Sequence, residues 1–191
     1  MDLSLTEEQK LIQQTARRFA EVELQPNAAQ LDRQESPEKD RKIFLQNLRA
    51  LAELGFMGLN VSSDYGGTEA GVVAFSLAIT EVARACASTA VTMSVTNMVG
   101  EVIQAIASDE QKQMYLPKLC SGEYSAGSFC LSEACAGSDP ASMLTQAIRD
   151  GDDWVLNGEK MWISSAEYAG LFVVWAAVSY THLTLPTILP V

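Results

Sequence analysis

The hydrophobic period of this chain changes once, near Ser125, and that change limits what it can fold into. Upstream, apolar residues recur at helical spacing. Downstream, "SAGSFCL", "TQAIR", "DWVLNG", "EKMWIS" and "LFVVWAAV" are short runs of extended type. Helices first and strands second is the order of an α+β protein. The expected architecture is an N-terminal all-α helical domain over 1–123, followed over 124–178 by a truncated antiparallel β-barrel domain.

Local signals place the helices. Thr6 with Gln9 forms a capping box, and Leu11, Ile12, Ala16, Phe19 and Val22 follow at helical spacing until Pro26 ends the pattern, with Arg17 and Arg18 on an exposed face. Ser36-Pro37 opens a second helix, Leu48, Leu51 and Leu54 carry its stripe, and Gly55 supplies a left-handed stop. The stretch 60–71 is loop by composition, and helical patterning returns over 72–87. From 88 to 107 the chain is small and apolar nearly all round, which predicts a helix enclosed by others. Ser108 with Gln111 is a second capping box, opening a short charged helix that ends between Pro117 and Gly122. Asn157-Gly158 predicts a two-residue hairpin turn between strands.

Composition excludes whole classes of chemistry. The 191 residues carry 13 Lys and Arg against 24 Asp and Glu, and a net charge of −11 does not suit nucleic acid as a ligand. The only histidine is His182, which leaves little for Ser-His-Asp, Cys-His or histidine-metal sites. Cys86, Cys120, Cys130 and Cys135 form no Cys-x-x-Cys pair, so reduced thiols and no metal site are expected. No apolar stretch is long enough to span a bilayer, and the N-terminus has neither signal-peptide nor transit-peptide character, so a cytoplasmic location without membrane insertion is the expectation. The last stretch, 179–191, switches abruptly to Thr, Leu and Pro and is expected to be a non-native read-through tail.

Two motifs carry chemistry. The first runs from Phe129 through Leu131-Ser132-Glu133 to Gly137-Ser138-Asp139; the second is Lys160-Met161-Trp162-Ile163-Ser164. Taken alone, Trp162 suits a core aromatic and Ser132 and Ser138 suit turns. Together, in this order and behind "LGFMGLNVSSDYGG" and "SDEQKQMYLPKLCSGE", they resemble the acyl-CoA dehydrogenase family from about residue 3 to about residue 178.

The resemblance implies FAD as cofactor. A flavin ring is an apolar plate with a polar edge, and a strand edge offers both an apolar wall and aimed donors. By resemblance, the backbone of Phe129 and Leu131 and the Ser132 hydroxyl bond the pyrimidine edge, Trp162 covers the ring, and Ile163 and Ser164 donate near N5. Ser138 meets the CoA arm. Ala90, Ser94 and Met98 share one helical face, which suits either an acyl-chain slot or ordinary core. The family often has proline after the glutamate; Ala134 and Cys135 stand here, which predicts a less rigid turn.

The implied reaction is α,β-dehydrogenation of an acyl-CoA thioester, with hydride passing to FAD and electron-transferring flavoprotein accepting the electrons. The implied full-length assembly is a homotetramer or homodimer. The family's general-base glutamate matches no position in 1–191, so no catalytic residue is assigned here and no turnover of this chain alone is expected. A flavin oxidase or monooxygenase on the same scaffold, and a non-catalytic helical binding module, are the alternatives.

Overall fold

The computed structural model describes residues 4–178, with the backbone alone at 179, 182–183 and 187–190. Helix α1 (Glu7–Phe19) opens on the expected capping box: Gln9 N–H donates to Thr6 Oγ1 (3.2 Å) and Thr6 N–H to Gln9 Oε1 (3.0 Å). The chain does not stop at Pro26. It passes through one π-type turn, Ala20–Leu24, into α2 (Gln25–Arg33), where Pro26 sits in the first turn. A proline has no N–H to give and crowds the preceding turn, and a wider turn just before it relieves both problems. Gly55, at φ 78°, ends α3 (Pro37–Glu53) as expected. Arg17 is not simply a solvated charge. Its Nη2 lies 2.7 Å from the buried carboxylate of Glu81 on α4 (Gly71–Ala85), and that hydrogen bond holds the Glu81 carboxyl below its ordinary range despite burial.

Helix α5 (Ala87–Ile106) is the shared wall of the molecule. Ala90 and Met93 close one apolar cluster with Phe19, Leu48, Leu51 and Val82. Val99 and Ile103 close a second with Leu116 and Leu119 of α6 (Asp109–Cys120) and with Leu171 and Val173. The second capping box, Ser108 with Gln111, is formed at the start of α6.

Buried polar groups on α5 fix what packs against it. Asn97 Oδ1 accepts from Leu59 N–H (2.7 Å), and Nδ2 donates to Phe56 O (2.8 Å) and Met93 O (2.9 Å). Thr96 Oγ1 accepts the N–H of Gly127 (3.2 Å), the first residue of β1 (Gly127–Cys130). Gly127 is required there, because a Cβ would stand 2.9 Å from Val99 side-chain atoms. The backbone of the strand therefore packs directly on side chains of α5.

The strands form two small mixed sheets. β1 pairs parallel with β4 (Leu171–Val174), which pairs antiparallel with β7 (Thr187–Pro190). β2 (Gln146–Asp150) pairs antiparallel with β3 (Asp153–Asn157) and parallel with β5 (Ala177–Ser179), which meets β6 (His182–Leu183). The α+β class holds, but the purely antiparallel pairing does not, and among the described residues no sheet closes into a barrel. The long connection from Leu131 to Gly170 allows β4 to return beside β1 in the same direction.

The hairpin turn also differs. It is Gly151-Asp152, with Gly151 at φ 62°, and Asn157-Gly158 instead leads the chain out of β3. Gly151-Asp152 is also a two-residue hairpin pair, with glycine at the first, left-handed position where Asn157-Gly158 offers it at the second, and it has strands of equal length on both sides. The expected tail falls largely outside the described residues; the backbone described within it, 182–183 and 187–190, is paired with β5 and β4.

Replacing Asn97 with Leu would leave the Leu59 N–H and Phe56 C=O buried and unpaired. At about 1–3 kcal/mol for each such group, Asn97→Leu should lower the unfolding free energy by about 3 kcal/mol. Urea denaturation checks this, and a change below about 1 kcal/mol would show that the amide does not hold the 56–59 segment.

Candidate functional site

The site begins at the free side of β1. This strand lies at the end of its sheet, and among the described residues none pairs with it opposite β4. The Cys130 carbonyl accepts from Trp175 N–H (3.1 Å) on the β4 side. Because main-chain groups alternate along a strand, Ser128 and Cys130 face β4 while Phe129 and Leu131 turn their N–H and C=O groups to the open side. The Phe129 ring packs edge-on against Trp175, with centroids 5.9 Å apart.

Beyond β1 the chain turns back at once. Glu133 N–H donates to Ala136 O (3.0 Å) and Ala136 N–H returns the bond to Glu133 O (3.2 Å), so the turn closes without the proline. Cys135, Gly137 and Ser138 are exposed beyond it. A Cβ on Gly137 would meet nothing within 4 Å.

The segment expected as the strand "EKMWIS" is an irregular loop. Trp162 (φ 60°) and Ser165 (φ 66°) are left-handed, a conformation that costs a bulky residue energy and ends any strand. Neighbours hold it from several sides. Met161 N–H donates to Ser132 O (2.9 Å), Ser128 Oγ donates to Ser164 O (2.7 Å), and Ser165 Oγ lies 3.3 Å from Thr92 Oγ1 on α5. The strand end at 128–132 and the loop at 160–165 are thus one constellation. Ile163 and Ser164 are half-buried, and the Trp162 side chain stands 88% exposed.

The helical face of Ala90, Ser94 and Met98 divides. Ala90 is core, Ser94 is half-buried and Met98 is exposed, so the stripe runs out of the core towards the surface. A cavity of about 900 Å³ lies elsewhere, between α2, α3 and the start of α5, with Phe44, Arg41, Cys86 and Tyr168 in its wall. None of the residues assigned from sequence lines it.

Two side chains with no assigned role tie the site together. The Glu133 carboxylate, 4% exposed, accepts from Leu144 N–H (2.6 Å), Thr145 N–H (3.0 Å) and Lys160 Nζ (2.7 Å). Lys160 Nζ also donates to Leu131 O (3.0 Å). Burial alone would raise the Glu133 carboxyl, but the bonds from Lys160, Leu144 and Thr145 outweigh it and bring it down to about 2. The available signal was a charged residue inside each apolar motif.

Burial keeps two of the thiols protonated. Burial pushes Cys130 up to about 11, with Lys160 acting weakly the other way, and burial pushes Cys120 up to about 11. Among the described residues no cluster of three or more His, Cys, Asp or Glu side chains could hold a metal.

The low carboxyl predicts an acid response of definite sign. Glu133 binds its proton more readily unfolded, near the ordinary glutamate value of about 4.3, than folded. Its stabilisation, about 2–3 kcal/mol, is therefore complete above about pH 5 and lost as pH falls towards 2. The stability gap between wild type and Glu133→Gln, measured by urea unfolding, should narrow from pH 7 to pH 3. A constant gap would contradict the assignment.

Residues 6–123 match the acyl-CoA dehydrogenase N-terminal domain and residues 128–186 the acyl-CoA dehydrogenase middle domain. The short-chain specific acyl-CoA dehydrogenase of Clostridium acetobutylicum is 35% identical over 185 residues, covering 96% of this chain and 47% of that protein. The crystal structure of a Bacillus anthracis acyl-CoA dehydrogenase complexed with FAD superposes with a TM-score of 0.87 at 30% identity, over 98% of this chain and 31% of that one. Butyryl-CoA dehydrogenase from Megasphaera elsdenii superposes with a TM-score of 0.85 at 29% identity, over 100% of this chain and 50% of that one. The chain spans about half the length of the curated relatives it matches. By its sequence and its fold, the chain belongs to the acyl-CoA dehydrogenase family.

Proposed function

We propose that this chain is the flavin-facing portion of an FAD-dependent acyl-CoA dehydrogenase. The observation that carries this reading is the open side of β1, where the main-chain groups of Phe129 and Leu131 point outward beside a loop bonded to the strand end. A flavin ring needs an apolar wall and a few directed donors and acceptors, and these residues fit that need. Phe129, Leu131 and the Ser132 hydroxyl would hold the polar edge. Trp162 would lie over the ring, and Ile163 and Ser164 would hold its other side. FAD, when bound, supplies the hydride acceptor.

The exposure of Trp162 supports the same reading, since an indole 88% exposed on a constrained backbone has its contact surface still to be covered. Ser138 would meet the CoA arm, with Ser94 and Met98 beside the acyl chain. Electron-transferring flavoprotein is the proposed acceptor, and a homotetramer or homodimer the proposed full-length assembly. The substrate's α-proton needs a carboxylate base, and the resemblance assigns none within these residues.

Titrating FAD with the purified 191-residue chain should quench flavin fluorescence weakly but saturably, with no acyl-CoA-dependent dye reduction. Absence of any saturable quenching would contradict the flavin reading. Dye reduction would contradict the assignment of the base to another segment.

A further inference from the structure

The Glu133–Lys160 pair is a costly arrangement. Two opposite charges lie almost out of water, with 4% and 11% of their side chains exposed. Such a pair adds little stability compared with apolar residues of similar volume, so stability alone does not account for it. What the pair does add is directional. Three chain segments that are distant in sequence end on these two side chains: the strand end at 131–133, the entry to β2 at 144–145, and the first residue of the 160–165 loop.

We propose that Glu133 and Lys160 are the positioning pair of the flavin-facing edge, fixing the 160–165 loop to the end of β1. They thereby set where Trp162, Ile163 and Ser164 stand relative to the main-chain groups of Phe129 and Leu131. This rests on the flavin reading above.

The geometry supports the assignment at each step. Lys160 Nζ donates to Glu133 Oε1 and Leu131 O, both within three residues of the end of β1, and its remaining contact is Met143 Sδ at 4.0 Å. The next residue, Met161, bonds Ser132 O through its N–H, and the residue after that is Trp162 in the left-handed region. A left-handed tryptophan persists only where its surroundings over-determine it. Upstream the constraint is the Lys160–Met161 anchorage; downstream it is Ser128 Oγ on Ser164 O. Releasing the upstream anchor frees the indole while leaving the downstream bond in place. By engaging Leu131 O, Lys160 also bounds the open edge, leaving the Phe129 N–H and C=O and the Leu131 N–H to a ligand.

Three variants of the 191-residue chain test this: Lys160→Met, which keeps the stem and removes the charge; Glu133→Gln, the milder change should the first fail to fold; and Lys160→Arg, which keeps the charge. Residue-resolved amide exchange at neutral pH reads the anchor without flavin. Exchange at Met161 should accelerate about tenfold or more in Lys160→Met and Glu133→Gln while protected amides of α4 keep their rates, and Lys160→Arg should stay within about threefold of wild type. In FAD titrations the first two variants should weaken binding about fivefold or more, again with rescue by arginine. Unchanged Met161 exchange, acceleration spread equally over α4, or unchanged FAD affinity with a freed Met161 would each overturn the proposal. A wild-type chain that does not bind FAD would instead overturn the flavin reading, and the Met161 rates would still decide whether the anchor exists.

Discussion

One hydrogen bond orients the site: the Cys130 carbonyl accepts from Trp175. A strand alternates, so committing Cys130 to β4 sends the main-chain groups of Phe129 and Leu131 the other way. That choice depends in turn on where β1 is held. Thr96 takes the Gly127 N–H, and the missing side chain at Gly127 lets the strand start against Val99. Helix α5 acts as a ruler, with Asn97 fixing the 56–59 turn, Thr96 the strand and Thr92 the loop at Ser165. Buried polar groups suit this task because a misplaced partner costs the full desolvation of each group.

The structure separates cohesion from placement. Cohesion comes from two apolar clusters that share α5 and need no particular polar residue. Placement comes from a few polar contacts on the cluster boundary. The irregular loop at 160–165 has no ladder of its own, so its shape is supplied by Ser132, Ser128, Thr92 and the Glu133–Lys160 pair. That is the arrangement expected where a backbone must hold a ligand and cannot simply complete a sheet.

What was legible in the sequence was local. Both capping boxes, the Gly55 stop and the change of period at Ser125 depend on residues within a few positions of one another, and all are present. Where distant segments decide, the sequence misled. Pro26 is carried inside a continuous helical rod by a π-type turn that no short pattern announces. "EKMWIS" alternates like a strand, yet Lys160 and Met161 are tied to β1 and Trp162 turns left-handed. Asn157-Gly158 and Gly151-Asp152 each signal a two-residue hairpin, and only the register of β2 on β3 chooses between them. Glu133 and Lys160 were visible as charges within apolar motifs, but their meeting needs the fold.

The most direct measurement is an isotope-edited NMR titration of the chain with FAD, which reads weak binding residue by residue. The account predicts that the amide resonances of Phe129, Leu131 and Ser132 and the indole N–H of Trp162 move together and saturate at one FAD concentration. Shifts confined to the cavity beside Phe44 and Tyr168, with the β1 edge unmoved, would contradict it.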